Sequence, residues 1–255
     1  MGDSPSPVRT RADRCPGILR PWPADDGPLV RIRLVGGHLS AAQLAGLLSL
    51  AGEYGDGNLH LTNRANVQVR AVRDTTAFAD RLALLGLLPS RSHERVRNLV
   101  VSPAGNLLPL AREFDALLCD TPTLAGLPAR FLFSFDDRGD LAGLRPDLGI
   151  LVRNDEARLV VAGRLGDVVP LVDSPRVLVE LALRFMELRG TGPTAAWHAH
   201  ELPVPLAATV DEYVGTPDLA AQVDVPEGLV TPELAARLDV QEGVIVTPWR
   251  GVIVR

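Results

Sequence analysis

The feature that most constrains the fold is an internal repeat. The stretch "LVRIRLVGGHLSAAQLAGLL…LHLTNRANVQVR" (29–70) has a shorter counterpart in "AAQVDVPEGLVTPELAARL…VIVTPWRGVIVR" (220–255). Both read as strand, glycine turn, Ser or Thr helix cap, short helix and closing strand. Thr62 aligns with Thr247, Arg64 with Trp249 and Arg70 with Arg255. Two similar units so far apart predict half-domains that complete each other rather than a solenoid.

The signals within the first copy are local. Val30, Ile32 and Leu34 alternate with Arg31 and Arg33, as in a half-buried strand. Ser40 with Gln43 three residues on reads as a capping box, followed by Leu44, Leu47, Leu48 and Ala51 at helical spacing. "NLHLTNRANVQVR" (58–70) splits with period two. Leu59, Leu61, Ala65, Val67 and Val69 fall on one side, with Asn63 among them. His60, Thr62, Arg64, Asn66, Gln68 and Arg70 fall on the other. Read as one strand, it lays donors across roughly 30 Å, and Arg31 and Arg33 could extend them from a neighbouring strand. The row suits a large flat polyanion, and equally a solvated sheet face. A second helix is predicted from about Asp74. Farther on, 93–105 and 129–137 read as strands, a helix runs from Ser174 to Gly190, and the stretch through "WHAHE" reads as linker.

Composition narrows the classes. The 255 residues are 46% hydrophobic with a net charge of −5, which fits an ordinary globular chain and argues against general nucleic-acid binding. No apolar run approaches the ~20 residues of a membrane span. The opening "MGDSPS" fits the loose myristoylation pattern. Two cysteines, Cys15 and Cys119, form no disulfide framework, so a cytoplasmic location is expected. There is no lysine, so every fixed cation is a guanidinium fork suited to carboxylates or phosphates.

The repeat, with "LTNR…Q", "ERVRNLVVSP" and "LPARFLFSFDD", resembles the nitrite and sulfite reductase superfamily. "RCPGILRP", "HERVRN" and "TPWRGV" resemble its precorrin-3B synthase branch in cobalamin biosynthesis. The resemblance implies an α+β fold: two ferredoxin-like half-domains forming one sheet, with one inserted α/β domain of the nitrite/sulfite reductase type. The expected divisions are an irregular arm (1–24), half-domain 1 (25–90), the α/β domain (91–205) and a shortened half-domain 2 (206–255).

The resemblance also implies chemistry. The reductases bind sirohaem and a 4Fe-4S cluster; the precorrin branch oxidises a tetrapyrrole with an iron-sulfur cluster. Arg64 matches the motif arginine, Arg97 and Asn98 the following Arg-Asn pair, and Arg130 the first lysine of the family's Lys-Phe-Lys stretch. Leu132 replaces the second lysine. The expected substrate-binding set is therefore Arg64, Arg97, Arg130, Asn66, Gln68, Arg70, His60, Asn98, Arg31, Arg33 and Trp249, with no catalytic residue or metal ligand assigned. Two cysteines cannot supply four thiolates. The expectation is a precorrin-binding chain holding no cluster alone, with a possible separate iron-sulfur subunit and no nucleic-acid or membrane partner. A non-catalytic tetrapyrrole-binding protein and a truncated sirohaem-type reductase are the alternatives. His198 and His200 read as surface or linker residues, and Cys15 as structural.

Overall fold

The computed structural model describes residues 13–255. The myristoylation pattern and the first half of the expected arm lie outside the described residues. Within the rest of that arm the chain forms β1 (Trp22–Ala24), paired antiparallel with β2 (Gly27–Ile32). Next come β3 (His38–Ser40), α1 (Ala41–Tyr54), β4 (Leu59–Leu61), β5 (Val67–Val69) and α2 (Thr75–Leu84). The capping box at Ser40 is present, with Ser40 Oγ accepting from the Gln43 N–H and Gln43 Oε1 from the Ser40 N–H, each at 3.1 Å. Asp74 caps α2 through the Thr76 and Ala77 N–H groups.

The expectation of a single strand over 58–70 is corrected. β4 and β5 are the two arms of a hairpin, with His60 opposite Gln68 and Leu61 opposite Val67. The cause is the Thr-Asn-Arg-Ala-Asn turn. Thr62 Oγ1 accepts the Arg64 and Asn66 N–H groups at 3.3 and 3.1 Å, and Ala65 takes a left-handed φ of 53°. A threonine hydroxyl that captures nearby backbone N–H groups diverts the chain from an extended path. The donors are therefore folded back on themselves rather than spread along one line.

The middle of the chain contributes β6 (Leu99–Val101), α3 (Leu108–Cys119), β7 (Phe133–Asp136), β8 (Leu148–Arg153), β9 (Glu156–Val161), β10 (Arg164–Pro170), α4 (Ser174–Leu188) and β11 (Thr209–Glu212). These strands form a sheet in the order β11-β10-β9-β8-β7-β6, parallel across β6–β7–β8 and antiparallel beyond. Its core is aromatic: Phe114 of α3 lies 4.7 Å from Phe133, and Phe185 of α4 lies 4.6 Å from Phe131, centroid to centroid. α3 had no counterpart in the sequence reading. It starts without a side-chain cap, and its cue is Pro109 in the first turn.

The C-terminal copy supplies β12 (Leu229–Val230), α5 (Pro232–Arg237), β13 (Gly243–Val246) and β14 (Val252–Val254). The copies interlock by exchange. β12 joins the first half's sheet, in the order β1-β2-β5-β4-β12, while β3 leaves it to make a second sheet, β14-β13-β3. One apolar core spans both, with Val30, Leu59 and Phe78 beside Val230, Val244 and Val252.

Candidate functional site

The Thr62–Asn66 turn projects Arg64 toward the segment before β7. Arg64 Nη1 donates to the Arg130 carbonyl at 2.6 Å. The Arg130 guanidinium stands 5.7 Å over the Trp197 ring and 4.0 Å from Asp13. Arg31 reaches across the sheet to Gln68, whose amide, turned with its oxygen toward the guanidinium, accepts from Nε at 3.0 Å and Nη2 at 2.6 Å. The three cations feel one another. Burial lowers the pKa of Arg31, with Arg64 and Arg130 adding to the fall and Cys15 opposing it. Burial likewise lowers Arg64, which Cys15 and Asp147 draw back up and Arg130 pushes down. Like charges held together, two of them partly desolvated, favour an anionic neighbour.

An apolar wall adjoins them. Ala65, the residue after Arg64, packs with Val100, Leu132 and Leu141, and Trp249 leans on this cluster from the second half-domain. Leu132, which the sequence resemblance sets in place of a lysine, thus makes an apolar contact.

Other expected site residues are engaged elsewhere. Asn98 is 1% exposed and acts as a structural hub. Its Oδ1 accepts from Arg33 Nε at 3.1 Å and Asn66 Nδ2 at 3.4 Å, and its Nδ2 donates to the Ala129 and Phe131 carbonyls. Asn66 Oδ1 accepts the Leu34 N–H at 3.0 Å. Arg33 Nη1 donates to the Pro16 and Glu94 carbonyls, and burial pushes its pKa down to about 9. Arg97 makes a two-pronged ion pair with Asp115, both bonds 2.7 Å. Arg70 does the same with Asp26 at 2.6 and 2.9 Å, and His60 Nε2 sits 2.7 Å from Asp56. The structure therefore brings together Arg31, Arg64 and Arg130, with Gln68 in support and Trp249 on the adjoining wall.

Four residues placed here were given no site role from the sequence: Cys15 was read as structural, His198 as surface or linker, and Asp13 and Trp197 were not singled out. Cys15 and Asp13 approach from the N-terminal arm; Asp13 Oδ2 accepts the Ala129 N–H at 2.9 Å. Trp197 and His198 come from the stretch read as linker. Its concentration of rings, "WHAH", was the available signal.

Residues 23–82 match the model of the nitrite/sulfite reductase ferredoxin-like half domain. This segment is thus of the nitrite/sulfite reductase ferredoxin-like half-domain type. The chain is 32% identical over 82 residues to the precorrin-3B synthase of a Sinorhizobium species, a stretch covering 32% of this chain and 17% of that protein. The fold is similar to the solved structure of Mycobacterium tuberculosis NirA, with a TM-score of 0.66 and 18% identity, over 92% of this chain and 56% of NirA. The chain thus spans about half the length of NirA.

The guanidinium face fits the carboxylate rim of a tetrapyrrole. An iron-sulfur cluster is a different matter. Cys15 lies beside Arg31, whereas Cys119 ends α3 beside Arg97. Among the described residues no group of three His, Cys, Asp or Glu could hold a metal ion. These two thiols do not fit a four-thiolate cluster.

Proposed function

We propose that this chain is a precorrin-3B synthase-like protein of cobalamin biosynthesis that binds a polycarboxylated tetrapyrrole on the Arg31–Arg64–Arg130 face. The observation that carries the reading is the union of three converging guanidinium groups with the Ala65–Leu132–Leu141–Trp249 wall. The arginines recognise peripheral acetates and propionates through charged hydrogen bonds, and the wall accepts the flat ring. Leu132 in an apolar cluster disfavours a small dianion such as sulfite, which needs converging charge. In this reading the chain binds and orients the macrocycle. The oxidising iron-sulfur centre comes from another polypeptide or from sequence outside this chain. A non-catalytic tetrapyrrole carrier is the second reading, favoured by the separation of the two cysteines. A cytoplasmic site of action accords with either.

Titration with uroporphyrin, followed by visible absorption, tests the binding step. Arg64→Leu keeps bulk and removes the fork. A charged hydrogen bond is worth about 1.5–3 kcal/mol, so affinity is expected to fall roughly tenfold to a hundredfold. Equal affinity of wild type and variant overturns the assignment.

A further inference from the structure

Asp147 and His198 stand at the edge of the arginine face, and the reading above gives them no task. Asp147 is 3% exposed and sits just before β8. Its carboxylate accepts the Leu132 and Ala199 N–H groups, each at 2.8 Å, and both its oxygens lie 3.2 Å from His198 Nδ1. A carboxylate so placed accepts only, so Nδ1 carries the proton and the ring orientation is fixed. His198 Nε2 has no protein partner among the described residues, and the side chain remains 25% exposed.

Several charged and titratable groups surround this ring. The His200 ring stacks on it at 5.4 Å and 13°. Glu201 Oε2 accepts the Trp197 and His198 N–H groups at 2.7 and 3.3 Å, which fixes the backbone. Arg130 stands over the adjacent Trp197, with Asp13 near it, and Arg64 feels the Asp147 charge. A purely architectural histidine needs only its Nδ1 contact. Here the opposite nitrogen is left available beside cations already suited to carboxylates.

We propose that His198 is a carboxylate-docking residue of the tetrapyrrole face: Asp147 holds Nδ1–H, and the ring, when it carries a second proton on Nε2, donates that Nε2–H to a peripheral acetate or propionate. The inference rests on the tetrapyrrole reading and assigns a fourth donor to that site. That donor exists only when the ring carries both protons, so this part of the binding depends on pH, unlike the arginines.

The test is uroporphyrin titration of the full chain between pH 6 and 8, with His198→Phe and His198→Gln. Phe keeps a ring and removes the donor; Gln keeps a donor that does not titrate. Wild type is expected to bind more tightly at pH 6 than at pH 8. His198→Phe should lose about tenfold at pH 6 and little at pH 8. His198→Gln should bind at both pH values and retain only the pH dependence of the porphyrin's own carboxyls. Wild-type pH profiles in both variants overturn this inference, while the Arg64→Leu loss still supports the binding face. No wild-type binding at any pH overturns both. If the Phe variant does not fold, the Gln profile decides.

Discussion

In the first half-domain, Leu59 and His60 of β4 pair with Val230 and Leu229 of β12; in the second, Val244 and Ile245 of β13 pair with Leu39 and His38 of β3. The two exchanges have the same register. The match extends further: Ile32 opposes Val67 in the first copy, and Val223 opposes Val252 in the second. Both turns are built alike. The Thr62 N–H donates to the Asn66 carbonyl and the Thr247 N–H to the Gly251 carbonyl, each at 2.9 Å, while Ala65 and Arg250 are both left-handed. Yet the side chains diverge. Where the first copy has Arg31 and Arg64, the second has Gln222 and Trp249; where the first has Asn66, the second has Gly251. Turn chemistry and edge pairing hold the backbone, leaving the surface free to specialise. At these matched positions the first copy is cationic and polar, and the second is neutral.

The largest expected effect tests whether the symmetry is energetic as well as geometric. Gly37 and Gly228 are equivalent, with φ of 75° and 70°. A Cβ on Gly37 would collide with the Val246 carbonyl oxygen, whereas one on Gly228 would meet the flexible Arg250 side chain at 3.2 Å. Gly37→Ala should therefore cost about 4 kcal/mol, adding the strain of a left-handed residue to the clash. Gly228→Ala should cost only about 1 kcal/mol. Urea denaturation of both variants checks the ratio, and equal losses would show that the β4–β12 exchange is packed as tightly as the β13–β3 exchange.

The next effect concerns what docks the first half-domain onto the six-stranded sheet. Asn98 joins Arg33 and Asn66 to the Ala129 and Phe131 carbonyls, and Gly251 can make no equivalent of Asn66's bonds. Asn98→Ala leaves a buried guanidinium and several backbone groups short of partners. A loss of about 3 kcal/mol is expected in the same denaturation experiment.

A gain is expected behind the apolar wall. Leu141 reaches the wall from a loop held by Asp136, which accepts from the Ser102 hydroxyl at 2.7 Å and from the Leu141 N–H at 3.0 Å, and is also bonded by the Tyr213 hydroxyl. Ser102 Oγ is also 2.7 Å from Asp140, yet carries one hydrogen for two carboxyls. Burial raises the Asp140 pKa to about 6, against an ordinary 3.8, and the Asp136 charge adds to the rise. Its ionised form is thus disfavoured in the fold. Stability should be higher below about pH 4 on this account and fall as pH rises through about 6. Asp140→Asn should remove that slope and raise stability at pH 7 by about 2 kcal/mol. Thermal melts at pH 4, 5, 6 and 7 measure both.

Much of the half-domain architecture was legible because its signals are local. Ser40 and Gln43 announce a cap, and the Thr62 and Thr247 segments share a spacing. The hairpins were not, because period-two alternation continues through a turn whose hydroxyl-to-backbone bonds leave no gap in the pattern. Of the candidate site, Arg31, Arg64 and Arg130 could be named from the sequence. The sequence could not separate these from Arg33, Arg70 and Arg97, since the difference lies in partners distant in the chain: Asn98, Asp26 and Asp115. Asp147 and His198 were hidden for the same reason, 51 residues apart and joined only by the fold.

The central claim is that the first copy recognises carboxylates and the second supplies an apolar wall. The most direct measurement compares coproporphyrin with its tetramethyl ester, both titrated into the wild-type protein in the same mixed solvent. The two share a ring and differ in charge. The account predicts that the acid binds, that added salt weakens it, and that the ester binds at least about a hundredfold less tightly. Equal affinities, unaffected by salt, would contradict it.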